Sequence, residues 1–148
     1  GFMQHRKPLG YKPNTTTEYL MVYRKKSQRL IDWNMKQYSQ EIIDQSKVGD
    51  VFETTNVWNV DPTFDKTHSA VFPRGLCERV IDYYSFVGDL VFDPFGGSGT
   101  LAQVAHEKKR NFFLTELQDD YVERIEERLS AYDIDDLEFV KPNFFKGK

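Results

Sequence analysis

The feature that most constrains the fold is a glycine-rich turn that joins a strand-like run to a helix-like run. The turn reads Asp93-Pro-Phe-Gly-Gly-Ser-Gly-Thr100 and directly follows the apolar run Leu90-Val-Phe92. Glycine permits positive φ and lets a ligand come close to the backbone. Parallel α/β sheets bind nucleotides at such a place, where a strand ends and a helix begins. We therefore expect an α/β fold with a ligand site at residues 93–100.

The spacing within this turn argues against two other nucleotide-binding loops. Gly96, Gly97 and Gly99 do not follow the Gly-x-Gly-x-x-Gly order of dinucleotide sites, and no lysine follows them as in a phosphate-binding loop. The hydroxyls of Ser98 and Thr100 are expected to cap the exposed amides at the start of the helix.

An acidic residue is predicted one strand away from the turn. Glu116 follows the apolar run Phe112-Phe-Leu114 and lies seventeen residues after Gly99. At that position a carboxylate can accept hydrogen bonds from both hydroxyls of a ribose. The turn and Glu116 together predict a ligand that contains a nucleoside with an unsubstituted ribose.

The periodicity of apolar residues from Pro73 onward predicts alternating helices and strands. The predicted elements are a helix at 73–88, a strand at 90–92, a helix at 98–109, a strand at 112–115, a helix from 119, and a strand at 137–140. Strands separated by single helices and short connections indicate a parallel sheet with crossover helices. The apolar run Tyr19–Tyr23 predicts a further, buried strand.

Charges are unevenly distributed along the chain. Residues 1–36 contain eight Lys and Arg against two acids, whereas residues 37–148 contain twelve against twenty-one. Arg24, Lys25 and Lys26 are therefore candidate contacts to a nucleic-acid backbone, because binding follows local rather than total charge. The alternative is that these cations simply end a solvated strand.

The cysteine content and the hydropathy pattern exclude two classes of protein. The single cysteine, Cys77, cannot form an internal disulfide and has no neighbouring Cys or His ligands, so no metal site is expected. No apolar run reaches the ~18 residues needed to span a bilayer. We expect a cytoplasmic protein with no membrane partner.

Residues 93–100 resemble the cofactor motif of DNA amino-methyltransferases, which methylate the exocyclic amine of adenine (N6) or cytosine (N4). The other similar segments are Val57–Val60, His68–Pro73, Thr115–Leu117 and Thr17–Lys25. The resemblance implies a Rossmann-like methyltransferase sheet, of which this chain is the partial, C-terminal cofactor-binding part. It also implies S-adenosyl-L-methionine as the cofactor and DNA as the partner.

The resemblance assigns roles to individual residues. Asp93 is implied to meet the methionine amino group, residues 98–100 its carboxylate, and Glu116 the ribose. His68 is expected to have no catalytic duty. The complete implied cofactor-binding set is Ser69, Ala70, Phe72, Pro73, Asp93, Pro94, Phe95, Gly96, Gly97, Ser98, Gly99, Thr100, Glu116 and Leu117.

The position of the cofactor motif near the carboxyl end is typical of the family's permuted subgroup. No segment of this sequence matches the family's catalytic Pro-Pro-aromatic loop, which is expected on an upstream segment or a companion subunit; a homodimer is an alternative. Residues 1–36 are then a basic lead-in with one strand, 37–67 an insertion or part of a target-recognition region, and 68–148 the cofactor-binding unit. Two alternatives remain: a methyltransferase for RNA, protein or a small molecule, and a non-catalytic cofactor-binding module.

Overall fold

The structure, a computed structural model, describes residues 16–26, 35–61, 72–134 and 136–140. The elements with both ends inside these ranges are α1 (Gln40–Gln45), α2 (Arg74–Tyr84), β1 (Leu90–Asp93), α3 (Thr100–Glu107), β2 (Asn111–Leu114) and α4 (Asp119–Leu129). From α2 to α4 this is the order predicted from the sequence.

β1 and β2 pair side by side in a parallel sheet, and α3 makes the crossover between them. Leu90 lies opposite Asn111, and Asp93 lies opposite Leu114. Alternate residues of each strand are half-buried, as a side-chain period of two requires when only one face is covered. This strand–helix–strand unit confirms the predicted α/β class.

α2 and α3 form the first of two apolar clusters. Cys77 and Ile81 of α2 are buried against Val104 of α3, and Val91 and Phe112 contact the cluster from the sheet. Cys77 is therefore a thiol packed in the apolar core.

α4 forms the second apolar cluster. Ile125 and Leu129 are buried against Ala102 of α3, and they contact Phe112 and Leu114 of β2. Both clusters touch the sheet through the same set of alternate strand residues, because side chains two apart point to one face. α2, α3 and α4 therefore all lie on the same face of the sheet.

Two predicted strands do not form in the described part of the chain. Residues 19–23 have no strand partner among the described residues, and all their side chains are exposed. Residues 137–140 have no regular structure, although Leu137 packs against the α4 cluster. Apolar and β-branched content makes a strand only where a neighbouring edge offers hydrogen bonds, and among the described residues β1 and β2 pair only with each other.

α1 is an element that the sequence pattern did not predict. It has six residues, none of them buried. A helix this short and exposed gives no apolar repeat that a sequence pattern could detect. Its one local signal is Ser39, whose Oγ accepts a hydrogen bond from the Ile42 amide at 3.3 Å as an N-cap. Neither α1 nor any other helix of the described residues is long and apolar enough to cross a bilayer.

A carboxylate-centred network joins α2, α3 and the segment after α4. Glu107 accepts hydrogen bonds from Arg74, from the Tyr132 hydroxyl at 2.5 Å and from Gln103 Nε2 at 3.2 Å. Gln103 accepts in turn from Arg128 Nη1 at 2.6 Å. These donors, Arg74 foremost, lower the pKa of Glu107 to about 2.

Acid should weaken this network and with it the stability of the fold. The folded-state pKa of Glu107 lies below its ordinary value of 4.5, so its contribution is present above pH 4.5 and is lost as the pH falls toward 2. Glu107→Gln should lower the free energy of unfolding at neutral pH by up to about 1 kcal/mol, the upper range for exposed ion pairs. Urea unfolding across this pH range should also show a flatter acid response in the variant.

Glu123→Gln is the matched control, because Glu123 is an exposed carboxylate on α4. It should leave both the stability and the acid response unchanged. A Glu107→Gln variant with the acid response of the wild type would contradict the assignment.

Candidate cofactor site

Two glycines with a left-handed backbone shape the turn between β1 and α3. Gly97 has φ +51° and Gly99 has φ +78°. Gly99 is the N-cap residue of α3 and lies against α4, where an added Cβ would come within 3.1 Å of Ile125 Cγ1. Glycine is required at position 99 both by the backbone conformation and by the close packing of α4.

Thr115 fastens this turn to the carboxyl end of β2. Its carbonyl accepts from the Gly96 amide at 2.9 Å, and its amide donates to the Asp93 carbonyl at 3.0 Å. Its hydroxyl donates to the Pro94 carbonyl at 2.7 Å. Thr115 was not among the predicted cofactor-binding residues. Its contacts hold the backbone of the turn, and such contacts between residues far apart in the chain cannot be seen in the sequence.

Glu116 links the turn to the start of α4. Its Oε2 accepts from the Gly97 amide at 2.9 Å, and its Oε1 accepts from the amides of Leu117 at 2.7 Å and Gln118 at 2.9 Å. The glycine turn and the carboxylate predicted to face it are therefore in direct contact. Charge-assisted hydrogen bonds of this kind are stronger than neutral ones, so Glu116 fixes the position of the turn.

Asp93 shapes the other side of the turn. Its Oδ1 accepts from the Phe95 amide at 2.9 Å, as in an Asx-turn. Asp93 ends β1, and Glu116 follows the end of β2. Because the carboxyl ends of parallel strands meet at one edge of a sheet, two carboxylates flank the turn at this edge.

The predicted capping role of Ser98 and Thr100 is wrong. Gly99 occupies the N-cap, and it is the N-cap side chain that reaches the first free amides of a helix. Ser98 precedes that position and Thr100 follows it, and their hydroxyl oxygens lie 3.3 Å from each other instead.

The remaining predicted residues differ in their surroundings. Phe95 and Leu117 extend into solvent, with 86% and 92% of their surface exposed. Phe72 is exposed beside Pro73, the residue after which α2 begins. The predicted residues outside the described ranges are His68, Ser69 and Ala70.

The three candidate DNA contacts, Arg24, Lys25 and Lys26, are exposed at the end of a described segment. Among the side chains that the structure describes, no group of three His, Cys, Asp or Glu is placed to hold a metal.

Comparisons with known proteins identify the family. A family profile described as DNA methylase matches residues 3–127. The orphan methyltransferase M.BamHII of Bacillus amyloliquefaciens is 40% identical over 85 residues, 52% of this chain. The Type II methyltransferase M.Cfr9I of Citrobacter freundii is 30% identical over 123 residues, 82% of this chain. The chain belongs to the DNA methylase family, as the turn motif predicted.

A solved structure shares the fold. A candidate DNA modification methylase of Thermus thermophilus is 30% identical with a TM-score of 0.54, over 75% of this chain and 40% of that one. This likeness confirms the partial Rossmann-like α/β methyltransferase sheet; the permuted subgroup stays a prediction. The same Thermus protein has also been solved in complex with S-adenosyl-L-methionine.

The chain is much shorter than the relatives it matches. The matched regions cover 32% of the Bacillus protein and 39% of the Citrobacter protein. The predicted division into regions 1–36, 37–67 and 68–148 stays a prediction.

Gly99→Ala should destabilise the fold. Left-handed backbone costs a non-glycine residue about 1–2 kcal/mol, and crowding against Ile125 adds to that cost. Gly88 is also at positive φ, but no atom of the described residues lies within 4 Å of the added Cβ, so Gly88→Ala should lose only the backbone part.

Gly75→Ala completes the series, because Gly75 lies in the first turn of α2 and no atom of the described residues lies within 4 Å of the added Cβ. It should raise stability by at most about 0.5–1 kcal/mol, the cost of glycine in the middle of a helix. Chemical denaturation measures all three variants, and a Gly99→Ala protein no less stable than Gly88→Ala would refute the packing of α4 on the turn.

Proposed function

We propose that the turn and Glu116 form the S-adenosyl-L-methionine site of a DNA methyltransferase that methylates the exocyclic amine of adenine or cytosine. The observation that carries the proposal is the 2.9 Å contact between the Gly97 amide and Glu116 Oε2. This contact brings the glycine turn, which suits a nucleoside ligand, next to the carboxylate that can hydrogen-bond the ribose hydroxyls.

The chemistry of this edge fits the cofactor. S-adenosyl-L-methionine presents a sulfonium, an ammonium group and ribose hydroxyls, all of which suit the carboxylates of Asp93 and Glu116. Its carboxylate suits the start of α3, where helix amides and the helix dipole favour an anion. Among the described residues, an added Cβ at Gly97 would meet the Phe95 carbonyl alone, at 3.8 Å, so this part of the turn leaves space for a ligand.

Each predicted residue then has a task in the proposed site. Asp93 would hold the ammonium group, and Glu116 would bind the ribose. Gly96 and Gly97 would let the cofactor lie flat against the turn, and residues 98–100 would hold the methionine carboxylate. The remaining members would give apolar contact and cover, namely Ser69, Ala70, Phe72, Pro73, Pro94, Phe95 and Leu117.

The cofactor would supply a methyl group on a positively charged sulfur. The task of this chain is to orient that methyl group, since alignment of donor and acceptor accounts for much of the rate of such a transfer. The acceptor amine would belong to a base turned out of the DNA duplex. The catalytic loop that grips this base would come from polypeptide outside this chain, upstream of it or in a companion subunit.

The family and the names of the relatives support DNA as the substrate. Arg24, Lys25 and Lys26 are exposed cations, and we propose that they contact its phosphates. The relatives from bacteria support a cytoplasmic location for a protein that is bacterial, archaeal or phage-encoded.

Removing either carboxylate should weaken cofactor binding. Asp93→Asn and Glu116→Gln keep the side-chain size but lose the charge, and a hydrogen bond to a charged group contributes about 1.5–3 kcal/mol. Calorimetric titration with S-adenosyl-L-methionine should give a Kd about 10- to 100-fold higher for each variant.

Glu123→Gln, which changes an exposed carboxylate of α4, should bind like the wild type. Circular dichroism establishes that each variant is folded before titration. Wild-type affinity in both Asp93→Asn and Glu116→Gln would remove the site from this edge of the sheet.

Neutralising the basic cluster should reduce the salt dependence of DNA binding. Each phosphate contact adds roughly 0.9 to the slope of log affinity against log salt. Fluorescence anisotropy with a DNA duplex should show a shallower slope for the Arg24→Gln, Lys25→Gln, Lys26→Gln protein. Lys47→Gln, whose lysine is paired with Asp44 at 2.7 Å, should keep the wild-type slope, and an unchanged slope in the triple variant would count against the contact.

A further inference from the structure

Thr115 binds two successive carbonyl groups of the glycine-rich turn. Its amide donates to the Asp93 carbonyl at 3.0 Å, and its hydroxyl donates to the Pro94 carbonyl at 2.7 Å. The first contact uses only backbone atoms, so any residue at position 115 with a free amide could make it. The second requires a hydroxyl on the side chain, and it is therefore the contact that a substitution can remove.

The peptide group between Pro94 and Phe95 is held at both ends. Its carbonyl oxygen accepts from the Thr115 hydroxyl, and its N–H donates to Asp93 Oδ1 at 2.9 Å. A trans peptide group is planar and rigid, so its C=O and N–H bonds point in opposite directions. The orientation that the hydroxyl sets at the carbonyl end is therefore passed to the amide end, where the Asp93 carboxylate is bound.

The two hydrogen bonds of this peptide group also strengthen each other. A peptide carbonyl that accepts a hydrogen bond makes its own N–H a better donor, because linked hydrogen bonds polarise one another. That N–H donates to a carboxylate, and charge-assisted hydrogen bonds are the stronger kind. Loss of the Thr115 hydroxyl would both free the peptide plane and weaken the contact that fixes Asp93 Oδ1.

We propose that Thr115 is a positioning residue for the methionine end of the cofactor, acting through the Pro94–Phe95 peptide group on the Asp93 carboxylate. The inference rests on the proposed function, in which Asp93 holds the ammonium group. A carboxylate is planar, so fixing Oδ1 on the turn also limits where Oδ2 points, and with it the place where an ammonium group is held. The Thr115 hydroxyl itself donates to the backbone of the protein and not to the cofactor.

The exposure of this contact separates a positioning role from a structural one. Thr115, Pro94 and Phe95 are all exposed. If the hydroxyl is removed, water can hydrogen-bond to the Pro94 carbonyl, and the cost of an unpaired buried carbonyl does not arise. A positioning role therefore predicts a loss of cofactor affinity without a matching loss of stability.

Thr115→Val keeps a β-branched side chain and removes the hydroxyl. Calorimetric titration with S-adenosyl-L-methionine should give a Kd about 3- to 10-fold higher, as expected for the loss of one neutral hydrogen bond. Urea unfolding should give the midpoint of the wild type. Thr115→Ser, which keeps the hydroxyl, should bind as tightly as the wild type, and so should Thr54→Val, which removes a hydroxyl from an exposed threonine outside the sheet.

A double-mutant comparison tests whether Thr115 acts through Asp93. Asp93→Ala removes both carboxylate oxygens, so in that background Thr115→Val should leave the Kd unchanged, because residues that act through one another are not additive. Asp93→Asn, which keeps the size of the side chain, gives a second background, in which the effect of Thr115→Val should be smaller than in the wild type.

Three results would overturn the positioning role: the same fold-change in all backgrounds, no recovery of affinity in Thr115→Ser, or a lower unfolding midpoint in Thr115→Val. In each case binding of S-adenosyl-L-methionine by the wild type would still support the proposed cofactor site. A wild-type protein that does not bind this compound would instead remove the proposed site, and the role of Thr115 with it.

Discussion

The hydrogen bonds of the Glu116 carboxylate hold together the edge of the sheet that carries the proposed cofactor site. The group accepts one backbone amide from the glycine turn and two from the start of α4. Without it, three amides at the end of the sheet would need other partners, and unpaired backbone donors are costly. The carboxylate therefore fixes the positions of the glycine turn, the end of β2 and the start of α4 relative to one another, with no ligand needed.

The architecture follows from that relation. Gly99 lets α3 start close to Ile125, so α4 lies beside α3 on the same face of the sheet. α2 packs on that face as well through Cys77 and Ile81. In the part of the chain that the structure describes, one face of the sheet thus carries α2, α3 and α4, the carboxyl edge carries the proposed cofactor site, and the other face exposes Leu90, Phe92, Asn111 and Phe113.

Sequence patterns predicted the elements whose partners are local. The predicted bounds lie within a few residues of the observed ones for β1, α3, β2 and α4. Each helix is recognised from its own apolar stripe, and the two strands are joined by a single crossover helix. The predictions for residues 19–23 and 137–140 were wrong for a common reason. An apolar run has a strand's propensity wherever it occurs, but its hydrogen bonds depend on an edge elsewhere in the protein.

The sequence by itself determined the glycine turn, its place between strand and helix, the acidic residue after the next strand, and through them the family. Those features depend only on the spacing of residues along the chain, which can be read directly from the sequence. Only the tertiary structure decided that Glu116 holds the turn itself, that Gly99 and not a hydroxyl begins α3, and that Thr115 fastens the turn to β2. Each of these contacts forms only after the two strands pair and the three helices pack on one face of the sheet. Hydrogen bonds between residues far apart in the chain are determined by that packing and not by their separation in sequence.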